Sequence, residues 1–396
     1  MKTDSNPAQK EKTLPYNPSA REYNNCGPLF FDLQVDGEEI INCRLVSGGG
    51  HRGLEKTLET HRYNRLHPWL EKINSAGGEI NNLGYCLAVE NLLGLEIPPR
   101  VKWIRTIISE IYRVSSHLNW LAELLRQLED LTTAERIGKL TIYTEKIISS
   151  LEQNRAVSGF IRVGGLREDI PPSFHDDCRR FMSALEDKLP RLKEIIFENP
   201  LFGRRTKTRG ALGIEAALDF GVTGPDLRAT GAEIDVRTSQ PYGMYDELDF
   251  MIPVGENGDA YDRCLVRVEE IFQSLKIIEQ ALEQVAPAGI YCEESGKFNI
   301  PANNNPNTET LIHHHILCRE GFEVPGGETY RKIESPRGEM GFFIVADGTN
   351  TPYRCHISPP SPAKCQVLVD MLPGCSLDEA EIIIESFDLS LPEVNR

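Results

Sequence analysis

Between Val101 and Leu131 the apolar positions fall three and four apart: Ile104, Ile107, Ile108, Ile111, Val114, Leu118, Leu121, Leu125 and Leu128. This is the stripe of a long amphipathic helix, about 45 Å at ~1.5 Å per residue, entered just after Pro98 and Pro99. The same period predicts helices over Ile137–Asn154, over Phe174–Phe197 with a bend at Pro190, and over Tyr261–Val285. A helix-like run extends from Leu54 to Ile73, and "LGYCLAVENLL" is a further apolar helical segment. Near the ends the pattern shortens to strands. "LFFDLQV" and "IINCRLV" flank Asp36-Gly37 and predict a hairpin over Leu29–Val46. From about Gly326, "TYRKIES", "GFFIVA" and "PYRCHIS" read as short strands with turns at Pro336-Arg337-Gly338 and Asp347-Gly348, and Ser376–Phe387 as a closing amphipathic helix.

Several long helices of similar length are what a bundle requires. The fold class expected is α+β, mainly α: a central long-helix bundle flanked by an N-terminal β-hairpin region and a C-terminal α/β region. Boundaries are drawn as a disordered tail over 1–24, rich in Lys, Glu, Asn and Pro, a β region over 25–60, the bundle over 61–325 and the α/β region over 326–396. Between the helices lie Gly-rich loops, "GFIRVGGLREDIPP", "GALGIEAALDFGVTGPDLRATG" and "QPYGMYDELDF", longer than connections need and therefore candidates for function.

Composition narrows the class. With 59 acidic residues against 43 basic ones the net charge is −16, which argues against a nucleic-acid partner and against direct docking on anionic lipid. No run approaches the ~18 apolar residues of a membrane span, and the first residues do not read as a signal peptide. The ten cysteines include no C-x-x-C pair, so a thiolate metal site has little to build on, and most are expected as reduced, packed thiols.

"SGGGHRGLEK", Ser47 to Lys56, satisfies G-x-G-x-x-G after a strand-like run. A dinucleotide loop also needs a second parallel strand, but "NSAGGEINNLGY" follows, polar and no buried strand. Leu54 and Glu55 stand where a Walker loop requires Lys and Ser/Thr. What remains is glycine that lets backbone approach a partner closely, presenting His51 and Arg52, or else a tight turn with a solvated arginine. In "LIHHHILCRE" only His314 and Cys318, at i and i+4, share a helical face, which leaves a surface histidine cluster the simpler reading. Glu269 and Glu270 read as a solvated helix face beside the loop acids Asp246, Glu247 and Asp249, His117 as a satisfied core histidine, and Tyr85 by default as packing. Neither G-x-S-x-G nor H-E-x-x-H is present.

Ten segments in order resemble one family, among them "HRGLEKTLETHRYNRL", "GYCLAVENLLGLEIPPR", "IRTIISEIYRVSSHLNWL", "FIRVGGLREDIP", "GVTGPDLRATG", "SQPYGMYDELDF", "PRGEMGFFIVADGTNTPYRC" and the terminal "EVNR". The chain resembles the D-type subunit, also called the 49-kilodalton type, of NADH:quinone oxidoreductase (respiratory complex I), related in turn to the large subunit of nickel–iron hydrogenases. The resemblance implies a hydrogenase large-subunit-like fold and no resident cofactor. Quinone is then the substrate, reduced in a cleft beside the terminal iron–sulfur cluster of the B-type partner subunit, while NADH and FMN bind elsewhere in the complex. It further implies the C-type subunit and other peripheral-arm subunits as partners, a membrane-arm subunit at the quinone entrance, a peripheral position on the cytoplasmic side of the inner membrane, and proton translocation by the whole complex. Arg52, with His51, would lie near the partner's cluster, and Tyr85 would bind the quinone and supply a proton. The chain departs from the family pattern at three places: Cys26 stands where the family has the second quinone-binding histidine, Gln127 where it has that histidine's aspartate, and Val157 where it has a histidine close to the cluster. Loss of histidine and aspartate together strands neither charge; Cys26 would be a weak substitute donor. Nickel chemistry is disfavoured, since Cys26 and Cys375 stand alone and "SLPEVNR" has no cysteine.

Overall fold

The computed structural model describes residues 12–16, 30–74, 77–151, 159–293 and 308–396. Cys26 and Val157 lie outside the described residues. Three antiparallel strands begin the chain, β1 (Lys12–Tyr16), β2 (Phe30–Asp36) and β3 (Glu39–Val46), in spatial order β1-β2-β3. The β2–β3 hairpin closes through Gly37 and Glu38, with Gly37 at φ 65° as the turn requires. Strand β1 departs from the expected disordered tail: Lys12 to Tyr16 pair with Val35 to Phe31. The reason is the free edge of β2, whose unpaired backbone groups accept another strand; Pro15 is tolerated because β1 is itself an edge.

The run Leu54–Ile73 is not one helix. It breaks into α1 (Leu54–Leu58), a 3-10 turn, α2 (His67–Leu70) and a second 3-10 turn. Pro68 has no N–H to give to Asn64 O and its ring crowds that carbonyl, so a helix from Leu54 cannot run through it, although Pro68 fits the first turn of α2; the irregular winding still buries Leu54, Leu58, Tyr63, Leu66, Leu70 and Ile73. Then come α3 (Gly78–Leu93), α4 (Pro99–Gln127) and α5 (Leu131–Leu151). Helix α4 has Pro99 in its first turn and buries its whole predicted stripe. It stops short of Leu131 because Glu129 turns left-handed, φ 66°, and Glu129 and Asp130 return their N–H groups to Arg126 and Leu125. This is a Schellman ending without its usual glycine. A two-residue hairpin, β4 (Ile161–Arg162) and β5 (Gly165–Leu166), leads to α6 (Phe174–Phe197), which continues through Pro190. Short helices α7 (Pro200–Thr206), α8 (Ile214–Asp219), α9 (Pro225–Arg228) and α10 (Val236–Ser239) punctuate the Gly-rich loops before α11 (Ala260–Gln284) and α12 (Thr308–Glu320). A three-stranded antiparallel sheet, β6 (Gly327–Ser335), β7 (Gly338–Ala346) and β8 (Arg354–Ser358), precedes α13 (Ser361–Met371), α14 (Leu377–Ser386) and α15 (Leu391–Val394).

Helix α4 packs between α5 and α11 at the centre of the bundle, and α3 lies on β6 and β7. That last contact is close because Gly84 has no side chain: a Cβ there would stand 2.4 Å from the Phe342 ring. Bundle and C-terminal sheet share one apolar core. A second core joins Phe31, Leu33 and Ile40 of the hairpin to Leu368, Ile383 and Phe387 near the other end of the chain. The two cores thus cross the boundaries drawn from sequence. Among the described residues no helix is long and apolar enough to cross a membrane.

Candidate functional site

The loop Ser47–Gly53 is held open by glycine backbone. Gly48 (φ 99°) and Gly53 (φ 59°) adopt the left-handed region, and neither would meet a neighbour if given a Cβ, so conformation rather than space demands glycine. The loop is pinned to the far end of the sequence, where Asn395 Oδ1 accepts from Gly48 N at 2.7 Å. His51 and Arg52 are exposed, and Arg52 Nη2 donates to Lys72 O at 2.9 Å, which fixes the guanidinium at the surface.

A cavity of about 510 Å³ opens beside this loop, lined by His51, Gly53, Glu55 and Lys56 and, from the other end of the chain, Arg354 and Arg396. Glu55 organises its wall. It accepts from Arg354 Nη2 (3.0 Å), Ile357 N (3.1 Å) and Arg396 Nε (3.1 Å), with His356 Nδ1 at 3.0 Å. Burial alone would raise its carboxyl, but the Ile357 N–H and the His356 and Arg396 contacts hold it below the ordinary value. The wall is therefore a fixed carboxylate surrounded by donors.

Tyr85, on α3, does not line this cavity. It is fully buried, its hydroxyl donates to Tyr63 O at 3.0 Å, and burial raises it well above the ordinary phenol range. The His67 ring stands perpendicular to it with centroids 5.8 Å apart. Behind these rings is a polar cluster. Asn82 Oδ1 lies 3.3 Å from His67 Nδ1, while Asn82 Nδ2 donates to Glu71 Oε1 (2.9 Å) and Glu79 Oε2 (3.3 Å). Two carboxylates facing one amide nitrogen require Nδ2 between them, so Oδ1 takes the His67 N–H. Glu79 also accepts from Phe160 N (2.7 Å) and Ile161 N (2.9 Å), and Glu90 from Gly164 N (3.0 Å), so carboxylates of α3 hold the loop "GFIRVGG". Burial, reinforced by Arg162, pushes His67 down to about 3, and burial together with Glu71 pushes Glu79 up to about 7. Of the residues singled out by sequence, His51 and Arg52 thus share the glycine loop, whereas Tyr85 lies enclosed in the core against Tyr63 and His67. Gln127 donates to Glu385 Oε2 at 2.9 Å, and its buried Oε1 has no hydrogen-bond partner among the described residues.

Sequence reasoning missed a buried ionic array between α4, α9, α10, α11 and β6. Arg228 reaches Glu270 (2.6 Å), Glu334 (2.9 Å) and Asp235 (3.3 Å), while Arg237 reaches Asp235 (2.8 Å) and Glu110 (3.3 Å), all with side chains at most 2% exposed. Glu270 therefore corrects the solvated-face expectation: α11 turns this residue inward against α4. Burial alone would raise its carboxyl, but Arg228 and His117 hold it well below. His117, as expected, is a satisfied core histidine, with Nε2 2.9 Å from Glu270 Oε2. The available signal was Glu110 and Arg113, opposite charges three apart that stand next to Ile111 and Val114 of the apolar stripe. Cys318 is exposed on α12, whereas the His314 side chain with which it was paired lies outside the described residues. Among the described residues no group of three His, Cys, Asp or Glu could hold a metal ion.

The chain is thus a long-helix bundle with a charged interior and a cavity at a glycine loop. The family model described as "Respiratory-chain NADH dehydrogenase, 49 Kd subunit" matches residues 143–396. The second NADH-quinone oxidoreductase D-type subunit of Koribacter versatilis is 36% identical over 400 residues, covering 98% of this chain and 97% of that protein. The D-type subunit of Wolbachia sp. subsp. Brugia malayi is 38% identical over 387 residues, covering 96% and 97%. The C/D-type subunit of Bdellovibrio bacteriovorus is 35% identical over 98% of this chain and 69% of its own length. The chain belongs to the D-type subunit family of NADH-quinone oxidoreductase, the 49-kilodalton-subunit family of the respiratory chain.

Proposed function

We propose that this chain is the quinone-cleft subunit of a proton-translocating NADH:quinone oxidoreductase, active only within the assembly. The observation that carries the reading is the cavity walled by His51 and Gly53 of the glycine loop and Glu55 of α1 together with Arg354 and Arg396, in a chain of this family. The headgroup enters there, against the cluster-bearing B-type subunit, and the membrane-arm subunit covers the entrance. The C-type subunit completes the peripheral surroundings, and the chain is held at the cytoplasmic face of the inner membrane through its partners. Arg52, immobilised on Lys72 O, is a fixed positive charge that favours the reduced form of a neighbouring cluster. Quinone takes two electrons and two protons. For Tyr85 to supply one proton, partner docking must open a path from the cavity, which Tyr85 does not line, and free its hydroxyl from Tyr63 O; water or Cys26 supplies the other.

One observation favours a second reading, a structural subunit with quinone chemistry altered or lost: the Tyr85 hydroxyl is enclosed and already bonded. Purified complex assayed for inhibitor-sensitive quinone reduction separates the two. The first reading expects Tyr85→Phe to lower the rate at least tenfold, with the complex still assembled; an untouched rate leaves the structural reading.

A further inference from the structure

The stretch 210–258 joins α7 to α11 through α8, α9, α10 and the loops around them, and its charges are distributed one-sidedly. Its cationic side chains are Arg228 and Arg237, and both are buried in the ionic array. Its exposed charges are all acidic: Glu215, Asp219, Glu233, Asp246, Glu247, Asp249 and Glu256. Asp249 pairs with Lys276 of α11 at 2.8 Å, whereas none of the other six takes part in an ion pair among the described residues. Apolar side chains stand exposed among these acids: Ile214 (43%), Leu218 (50%), Ile234 (49%) and Val254 (46%). Ile214 and Leu218, four apart on α8, share one helical face, and of that helix only Ala217 is buried.

Backbone bonds tie the supporting segments to one another. Leu212 N donates to Gly258 O (3.0 Å), Gly258 N to Ala229 O (2.9 Å), Gly255 N to Arg228 O (2.8 Å), and Arg228 Nη1 to Ile234 O (3.0 Å). Gly255 and Gly258 permit this packing, since a Cβ at either would stand within 2.5 Å of the backbone oxygens of Ala229 and Leu212 respectively. Irregular backbone has thus been fixed in place while Ile214, Leu218, Ile234 and Val254 are left outside. Exposed apolar residues set among charges of one sign mark a contact surface rather than a solvated one.

We infer that α8, with the loops at 231–234 and 251–257, is a docking surface for another polypeptide of the assembly, one whose contact face has an apolar centre ringed by lysine and arginine. Charge complementarity selects the occupant. A second copy of this chain would set acid against acid, and an anionic lipid surface would be repelled in the same way. Basic side chains opposite Glu215, Asp219, Glu233 and Glu256 would steer the encounter and fix its register, while burial of Ile214, Leu218, Ile234 and Val254 would supply the attraction. The inference rests on the reading that the chain works inside a multi-subunit assembly.

The test uses the complex isolated with this chain in place. A photo-crosslinking side chain replaces Leu218, and the joined peptide is identified by mass spectrometry. The expected product is one other subunit, joined through a peptide containing apolar residues and at least two lysines or arginines. In a second variant, Glu215→Lys with Asp219→Lys, recovery of the chain in the complex is expected to fall at least tenfold, while the thermal midpoint of the isolated variant stays at the wild-type value. A crosslink to an acidic peptide, to lipid or to a second copy, or full recovery of the reversed-charge variant, overturns the inference. Wild-type chain that never enters a complex overturns the assembly reading, and this inference with it; wild-type chain that assembles normally while the crosslink fails overturns this inference alone.

Discussion

Glu79 is the group whose protonation should be easiest to read in the stability of this chain. It is buried, accepts from Phe160 N and Ile161 N, and shares Asn82 with the Glu71 carboxylate. Burial and Glu71 raise its pKa from 4.5 to about 7 in the folded chain. An acid with a raised folded pKa binds more protons folded than unfolded between those two values. Stability from this group is therefore fully present below pH ~4.5, falls as pH rises toward ~7, and is level above that. At 1.36 kcal/mol for each pH unit the loss is about 3 kcal/mol. Glu79→Gln has no such titration, so its unfolding free energy minus that of wild type should climb by about 3 kcal/mol between pH 4.5 and 8, whatever its offset at acid pH. Urea titrations of both proteins at pH 4.5, 5.5, 6.5 and 8 measure it, and taking the difference cancels the groups the two share. Infrared spectroscopy gives an independent reading: a carboxylic-acid carbonyl band present at pH 6, lost by pH 8 and missing from the variant. A flat difference, or one that falls with pH, would refute the burial of Glu79 beside Glu71.

Gly84→Ala inserts a methyl 2.4 Å from the Phe342 ring and 2.9 Å from Ile333 Cδ1. Overpacking of about 1–3 kcal/mol should outweigh the helix propensity gained, about 1 kcal/mol, and move Tyr85; a thermal midpoint at or above wild type would contradict the close α3–sheet contact. Arg237→Leu leaves Asp235 and Glu110 each short of a buried cation and should cost about 3–5 kcal/mol, measured by urea unfolding at pH 7; a loss under 1 kcal/mol would mean the array is hydrated. Glu129→Gly should stabilise by roughly 0.5–1 kcal/mol, because a left-handed residue with a Cβ costs about 1–2 kcal/mol and glycine returns part of this as chain entropy. A fall in thermal midpoint would contradict the left-handed ending of α4.

Elements whose signal is local were legible in the sequence. The apolar stripe of α4 was legible because a 3.6-residue period survives whatever surrounds it, and the β2–β3 hairpin because Asp36-Gly37 separates two strand-like runs. Elements that depend on distant partners were not. Strand β1 exists through the free edge of β2, and α13 builds its core against the hairpin from the other end of the chain. Leu54–Ile73 carried helical spacing, yet Pro68 and the burial of six apolar side chains favoured a broken winding. Glu270 looked like a surface acid because sequence does not reveal that Arg228, some forty residues earlier, folds back against it. At the candidate site, the glycine loop with His51 and Arg52 could be found from its spacing. The enclosure of Tyr85 by Tyr63 and His67, and the cavity built jointly with Arg354 and Arg396, arise from tertiary packing.

In the proposed cleft Arg52 would be a fixed charge beside the partner's cluster, and a redox potential reads such a charge directly. Redox titration of the partner's iron–sulfur cluster by electron paramagnetic resonance, in assembled complex carrying wild-type chain or Arg52→Met, measures it. Loss of a fixed positive charge beside the cluster should lower the midpoint potential by roughly several tens of millivolts, with the cluster signal and subunit content intact. A potential unchanged or raised in the assembled variant would mean that Arg52 faces away from the cluster, and the proposed cleft would have to lie elsewhere.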